Sequence, residues 1–147
     1  MESTDVAFWS MVGTGISAVA TAVGVIVAIC TLFSWRKQYI ETLKDNFISS
    51  LVNYSTSLTY LPKKIDQTSS AAIASCAYIS ERFHICQKEW TLLERTMSKS
   101  KKYSEYISKW RGELHDFIDV HNKYIYGECE KELLKKFTQE MYQRKRE

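Results

Sequence analysis

From Val6 to Trp35 the chain reads VAFWSMVGTGISAVATAVGVIVAICTLFSW, 30 residues without one charged side chain. Its central part, Val12 to Phe33, is 22 residues, and as a helix it would measure about 33 Å, close to the thickness of a bilayer's hydrocarbon core. Phe8 and Trp9 flank one end and Phe33 and Trp35 the other, where aromatic rings favour the headgroup layer. The stretch predicts a transmembrane helix. A cleaved signal peptide needs a basic start and a shorter apolar run, whereas this chain opens with Glu2 and Asp5 and has no Lys or Arg before Arg36. Arg36 and Lys37 abut the C-terminal end of the span, so the positive-inside rule predicts a single pass with the N-terminus outside and residues 36–147 in the cytoplasm. Cys76, Cys86 and Cys129 show no close pairing or secretory framework and Cys30 lies in the span; reduced thiols are expected.

Within the span Gly13, Ser17, Ala20, Gly24 and Ala28 recur at spacings of four, three, four and four. Helices associate in lipid through close backbone approach rather than the hydrophobic effect. The small stripe therefore predicts an oligomer interface within the membrane. With no charge inside the span, no ion pathway or proton relay is evident. Thr14, Ser17, Thr21 and Thr31 would be the only polar lining of a pore.

The remaining 112 residues suffice for one small domain. They carry all 20 Lys and Arg against 15 of the 17 Asp and Glu, a net of +5. That excess is compatible with an anionic partner, and equally with a solvated helical surface. One proline, Pro62, and after the span only Gly112 and Gly127 interrupt the chain. So few breakers predict long helices and an all-α class, a transmembrane helix continuing into a small cytosolic bundle.

Four periodic segments follow. Ile40, Leu43, Phe47, Leu51, Tyr54 and Leu58 recur at three and four and share one face of a stalk helix, 36–61, that Pro62 ends. A second helix begins after a capping Thr68 or Ser69 and carries Ile73, Cys76, Ile79, Phe83, Cys86, Trp90, Leu93 and Met97. The polar cluster Ser98 to Lys102 is a loop or a weak helix end. Tyr103, Ile107, Trp110, Leu114, Phe117, His121 and Tyr124 then repeat every three or four residues over a third helix, Tyr103 to Tyr126. Gly127 ends or kinks it, and Leu133, Leu134, Phe137 and Met141 mark a shorter fourth segment. The domains expected are 1–35, tail and span, and 36–147, the cytosolic helical domain.

His115 and Asp119 are four apart on one helical face and supply two possible metal ligands, too few for a site. His121, on the apolar seam, reads as a buried, hydrogen-bonded core histidine. Arg111 and His115 enclose three residues, where HEPN ribonucleases place four to six between their Arg and His. There is no P-loop, no glycine-rich dinucleotide fingerprint and no catalytic triad context. The chain reads as a non-enzyme without cofactor or metal. Basic and aromatic residues do interleave in the stretch Arg95 to Arg111. Lys99, Lys101, Lys102 and Arg111 suit phosphate contact and Tyr103 and Tyr106 suit base stacking, and the same residues would equally solubilise and pack a helix end.

One span, a stalk and a compact basic helical domain form a layout similar to small bacterial antiviral membrane effectors. In architecture, and through the segments VGTGISAVATAVGVIVAIC and KSKKYSEYISKWR, the chain resembles type III CRISPR ancillary effectors that join a membrane segment to a helical sensor of cyclic tetra-adenylate. The resemblance implies a homo-oligomer, a tetramer being one arrangement, in the bacterial inner membrane. It also implies lipid and a cyclic oligoadenylate as partners, with no DNA, and ligand binding that alters the membrane assembly. Two alternatives are a membrane-anchored adaptor for a protein partner and a ligand-independent membrane toxin.

Overall fold

The computed structural model describes residues 2–66 and 68–143, and among these every regular element is helical. Helix α1 runs Glu2–Ser57, a 3-10 turn Leu58–Tyr60 follows, then α2 Ser70–Met97, a second 3-10 turn Lys101–Tyr103, α3 Ser104–Ile125 and α4 Lys131–Gln143. The chain divides into two compact units, Met1–Tyr39 and Ile40–Glu147.

The first unit is the N-terminal part of α1, long and apolar enough to cross a membrane. Its most apolar 18-residue window has a mean hydropathy of 2.4, and none of that window is covered by the rest of the chain. Every predicted interface residue from Gly13 to Ala28 is exposed, and a Cβ added at Gly13, Gly15 or Gly24 would meet nothing within 4 Å. Each of three threonines here turns its hydroxyl back on its own helix. Thr14 donates to Ser10 O at 2.9 Å, Thr21 to Ser17 O at 2.8 Å and Thr31 to Val27 O at 2.8 Å.

The second unit is a helical bundle built on one face of α1. Ile40, Leu43, Phe47, Leu51, Tyr54 and Leu58, the predicted stripe, are all at most 3% exposed. The rings of α2 and α3 lie against it. Phe47 sits 5.4 Å from Trp90 and 5.3 Å, edge-on, from Trp110. Tyr54 meets Phe117 edge-on at 5.1 Å, and Phe83 meets Phe117 at 5.1 Å. Such edge-to-face pairs add about 0.5–1.5 kcal/mol each to the area they bury. Helix α4 closes the bundle with Leu134 and Met141 buried and Phe137 stacked on Phe117 at 6.3 Å.

His121 is 3% exposed and lies face to face with Phe83 at 4.0 Å, its Nδ1 hydrogen-bonded to the Tyr54 hydroxyl at 2.7 Å. The core position expected of it is what the structure has. Burial, and to a lesser degree the neighbouring His84, lowers its pKa to about 4.

Helix α3 ends in a Schellman motif at Gly127, which is neither a kink nor a continuation. Gly127 N–H donates to Tyr124 O at 2.9 Å and Glu128 N–H to Lys123 O at 2.7 Å, with Gly127 at φ +69°. This turn is stitched to the α1–α2 connection. Tyr124 donates to Pro62 O at 2.8 Å, Lys131 N–H to Lys63 O at 2.9 Å and Lys131 Nζ to Leu61 O at 2.7 Å. Ile65, the buried anchor of that connection, brings its carbonyl so close that a Cβ on Gly127 would lie 2.5 Å from it.

Two outcomes follow for the full chain in detergent, read by near-UV circular dichroism during unfolding. Gly127→Ala combines a left-handed backbone with a clash against Ile65 O and is expected to cost about 1–3 kcal/mol; an unchanged midpoint would contradict this. The second outcome concerns His121, whose folded pKa lies below its unfolded value. Its contribution is complete above pH 6.5 and is lost as the unfolded state takes up a proton down to about pH 4, a loss of about 3 kcal/mol. That component of the pH slope should vanish in His121→Asn, and its persistence would assign the slope to other groups.

Candidate functional site

The connection between α2 and α3 folds back tightly on itself. Ser98 N–H donates to Glu94 O at 2.8 Å, Ser100 N–H to Met97 O at 3.0 Å and Tyr103 N–H to Ser100 O at 3.1 Å. Met97 is fully buried and fixes the turn to the core. On the outside the turn leaves a concavity of about 280 Å³ in which Ser98, Ser100, Ser104, Ser108, Lys101 and Arg111 surround Ile107. Tyr103 at the N-cap of α3 makes no side-chain bond to the first-turn amides, so the partial positive charge of that helix end adds to the two cations.

Of the six residues singled out in the sequence, the structure brings Lys101 and Arg111 together on this concavity. Lys99 and Lys102 are exposed on the turn outside it, Lys102 Nζ lying 5.7 Å from the centre of the Tyr103 ring. Tyr103 and Tyr106 are half-buried beneath Lys44 of α1, whose Nζ is 6.0 Å from the first ring and 5.4 Å from the second. Both rings thus serve an internal cation. The Tyr106 hydroxyl is buried without a hydrogen-bond partner, and burial pushes it up to about 12.

Arg111 is not an unengaged cation. Its Nε donates to Glu94 Oε1 at 3.0 Å and its Nη2 to the same oxygen. Arg111 also lines a trough of about 400 Å³, together with Gln87, Trp90, Thr91, Leu114, His115 and Ile118. Sequence reasoning missed Glu94, seventeen positions from its partner, and the four serines. The serines carried a legible signal, since Ser104 and Ser108 are four apart and share a face with Arg111.

A second unanticipated feature is a polar groove of about 220 Å³ between α1 and α2, where Asn46, Ser49, Ser50 and Asn53 face Arg82 and Glu89. The Arg82 guanidinium lies 5.4 Å from the Tyr78 ring centre, with its Nε buried and unpartnered. His115 is exposed with Asp116 3.9 Å away, and Asp119 is taken by Lys123 at 2.7 Å. Among the described residues no group of three or more His, Cys, Asp or Glu is placed to hold a metal. All four cysteines are free thiols, and burial pushes Cys86 up to about 11.

Comparison with protein-family models, with curated proteins and with solved structures finds no match to this chain.

Because the Tyr106 hydroxyl has no partner, Tyr106→Phe is expected to leave thermal stability unchanged or to raise it by up to about 1 kcal/mol. A clear loss of stability would reveal a hydrogen bond at that hydroxyl.

Proposed function

We propose that this protein is a ligand-gated membrane effector. Its α1 span anchors a homo-oligomer, and its helical domain, on the cytoplasmic side by the positive-inside rule, binds a phosphate-bearing messenger at the α2–α3 turn. The observation that carries the reading is the convergence of Lys101, Arg111 and four serine side chains on one concavity of about 280 Å³. Cations neutralise phosphate charge, and the hydroxyls of Ser100, Ser104 and Ser108 donate to its oxygens, while Ser98 Oγ already donates to Arg95 O at 3.1 Å. A ligand alters the span only by binding one arrangement of the oligomer more tightly than another. The architectural resemblance makes a cyclic oligoadenylate the messenger to test first, in a growth-arresting antiviral role. The exposed small stripe Gly13, Ser17, Ala20, Gly24 and Ala28 supports self-association in the membrane. The membrane-anchored adaptor is the second reading, favoured by the polar groove on α1 and α2, which offers amides and charges of both signs to a partner surface.

The test is a titration of the full chain in detergent with labelled cyclic and linear oligoadenylates at 50 and 200 mM salt. Two neutralised phosphates give a log–log salt slope of about −1.4, a loss of about sevenfold across that range. Lys101→Ala with Arg111→Ala is expected to abolish binding, while Lys136→Ala, at the remote α4 pair with Glu140, should leave it intact. Absence of binding by any oligoadenylate to folded oligomer would remove the messenger and leave the adaptor.

A further inference from the structure

The concavity at the α2–α3 turn and the trough beside it meet at Arg111, which lines both. One side offers serine hydroxyls and Lys101. The other offers the edges of Trp90, Leu114 and Ile118. Trp90 and Leu114 are 6% and 5% exposed, so they form a fixed floor, and the exposed His115 and Thr91 stand at its rim. Between the halves the Glu94 carboxylate occupies Arg111 through Nε and Nη2. That pair lies at the surface, the Arg111 side chain 67% exposed and Glu94 25%, so it is a weak tie that an incoming anion can replace.

We propose that the ligand of this site is an anion joined to a flat, largely apolar group. Its charged end takes Arg111 from Glu94 and is shared with Lys101, and its flat end lies in the trough on Trp90, Leu114 and Ile118. The proposal rests on the reading of the turn as an anion site and adds the second half of the ligand and the competitor built into the chain. Glu94 holds Arg111 in place when the site is empty, and it opposes anions that Lys101 does not also hold. Selectivity comes from the trough, because a bare anion held between Arg111 and Lys101 does not cover Trp90, Leu114 and Ile118.

The experiment uses the full chain in detergent and compares pyrophosphate with ADP, which carries the same two phosphate groups joined to a nucleoside. ADP is expected to bind about tenfold more tightly or better, because only its nucleoside covers apolar surface in the trough. Thr91→Trp, an exposed position at the rim of the trough, should erase the gain of ADP over pyrophosphate; His115→Glu at the rim should reduce the same gain. Glu94→Gln, which frees Arg111, should tighten both probes by about fivefold. Equal affinity for ADP and pyrophosphate in the unaltered chain would overturn the two-part site while keeping the anion site. An ADP gain that survives Thr91→Trp would overturn the trough as its source, and unchanged affinities in Glu94→Gln would overturn the competitor. If neither probe binds, the anion reading itself falls.

Discussion

The helical domain depends on one face of α1. Ile40, Leu43, Phe47, Leu51, Tyr54 and Leu58 are covered almost completely, and each later helix is fixed by the ring it lays against them or against their neighbours. Helix α2 contributes Phe83 and Trp90, α3 contributes Trp110, Phe117 and His121, and α4 reaches the cluster through Phe137 on Phe117. The Tyr54–His121 bond is a polar link inside this stack. It lets a histidine stay neutral among aromatic rings without leaving its nitrogen unpaired, since an unsatisfied buried group costs about 1–3 kcal/mol.

A small basic domain must place its cations somewhere, and three of those near the candidate site are already engaged. Lys44 lies over Tyr103 and Tyr106, Lys102 beside Tyr103, and Arg111 against Glu94. The net excess of positive charge therefore overstates what is available to a ligand. Lys101, free of ring or carboxylate and beside four serines, is the better indicator. Arg111 becomes a ligand contact only by exchanging one anion for another, which makes its affinity depend on how well the newcomer satisfies Lys101 at the same time.

Much of the fold was legible because helical periodicity over long, breaker-poor segments has few alternatives. The stripe of α1, that of α3 from Ile107 onward and most of α2 are buried as their spacing implied, while Tyr103 is half-buried in the turn before α3. The misses have local causes. Ile73 is 67% exposed because it lies in the first turn of α2, where the buried contact falls to Ala72 instead. Leu133 is 52% exposed while Thr138 is 1% exposed. Threonine enters that core because its hydroxyl donates to Leu134 O at 3.1 Å and Lys135 O at 2.9 Å, which apolar counting cannot anticipate. At the candidate site, residue type pointed to the turn, but which cations converge is decided by tertiary partners. Glu94 and Lys44 act from other helices, and the α1–α2 groove, with Arg82 held against Tyr78, follows from packing that no single segment encodes.

On the proposed reading, a signal from the turn has a short physical route to α1. The same α2–α3 connection that holds the serines carries Tyr103 and Tyr106 against Lys44, and the Trp90 that floors the trough packs on Phe47. A ligand that pulls Arg111 away from Glu94 and loads the trough acts on Trp90 from outside, and Trp90 presses on Phe47. Close-packed rings do not yield by small continuous amounts, so such a load either leaves the core unchanged or moves it to a second arrangement. Coupling then requires that the two arrangements differ in how the helix carrying the apolar segment associates with its copies, and the ligand can supply no more bias than its difference in affinity between them. That places the burden on the two-part site, because a bare phosphate touching only the serine half would leave Trp90 unloaded and would have little means of favouring either arrangement.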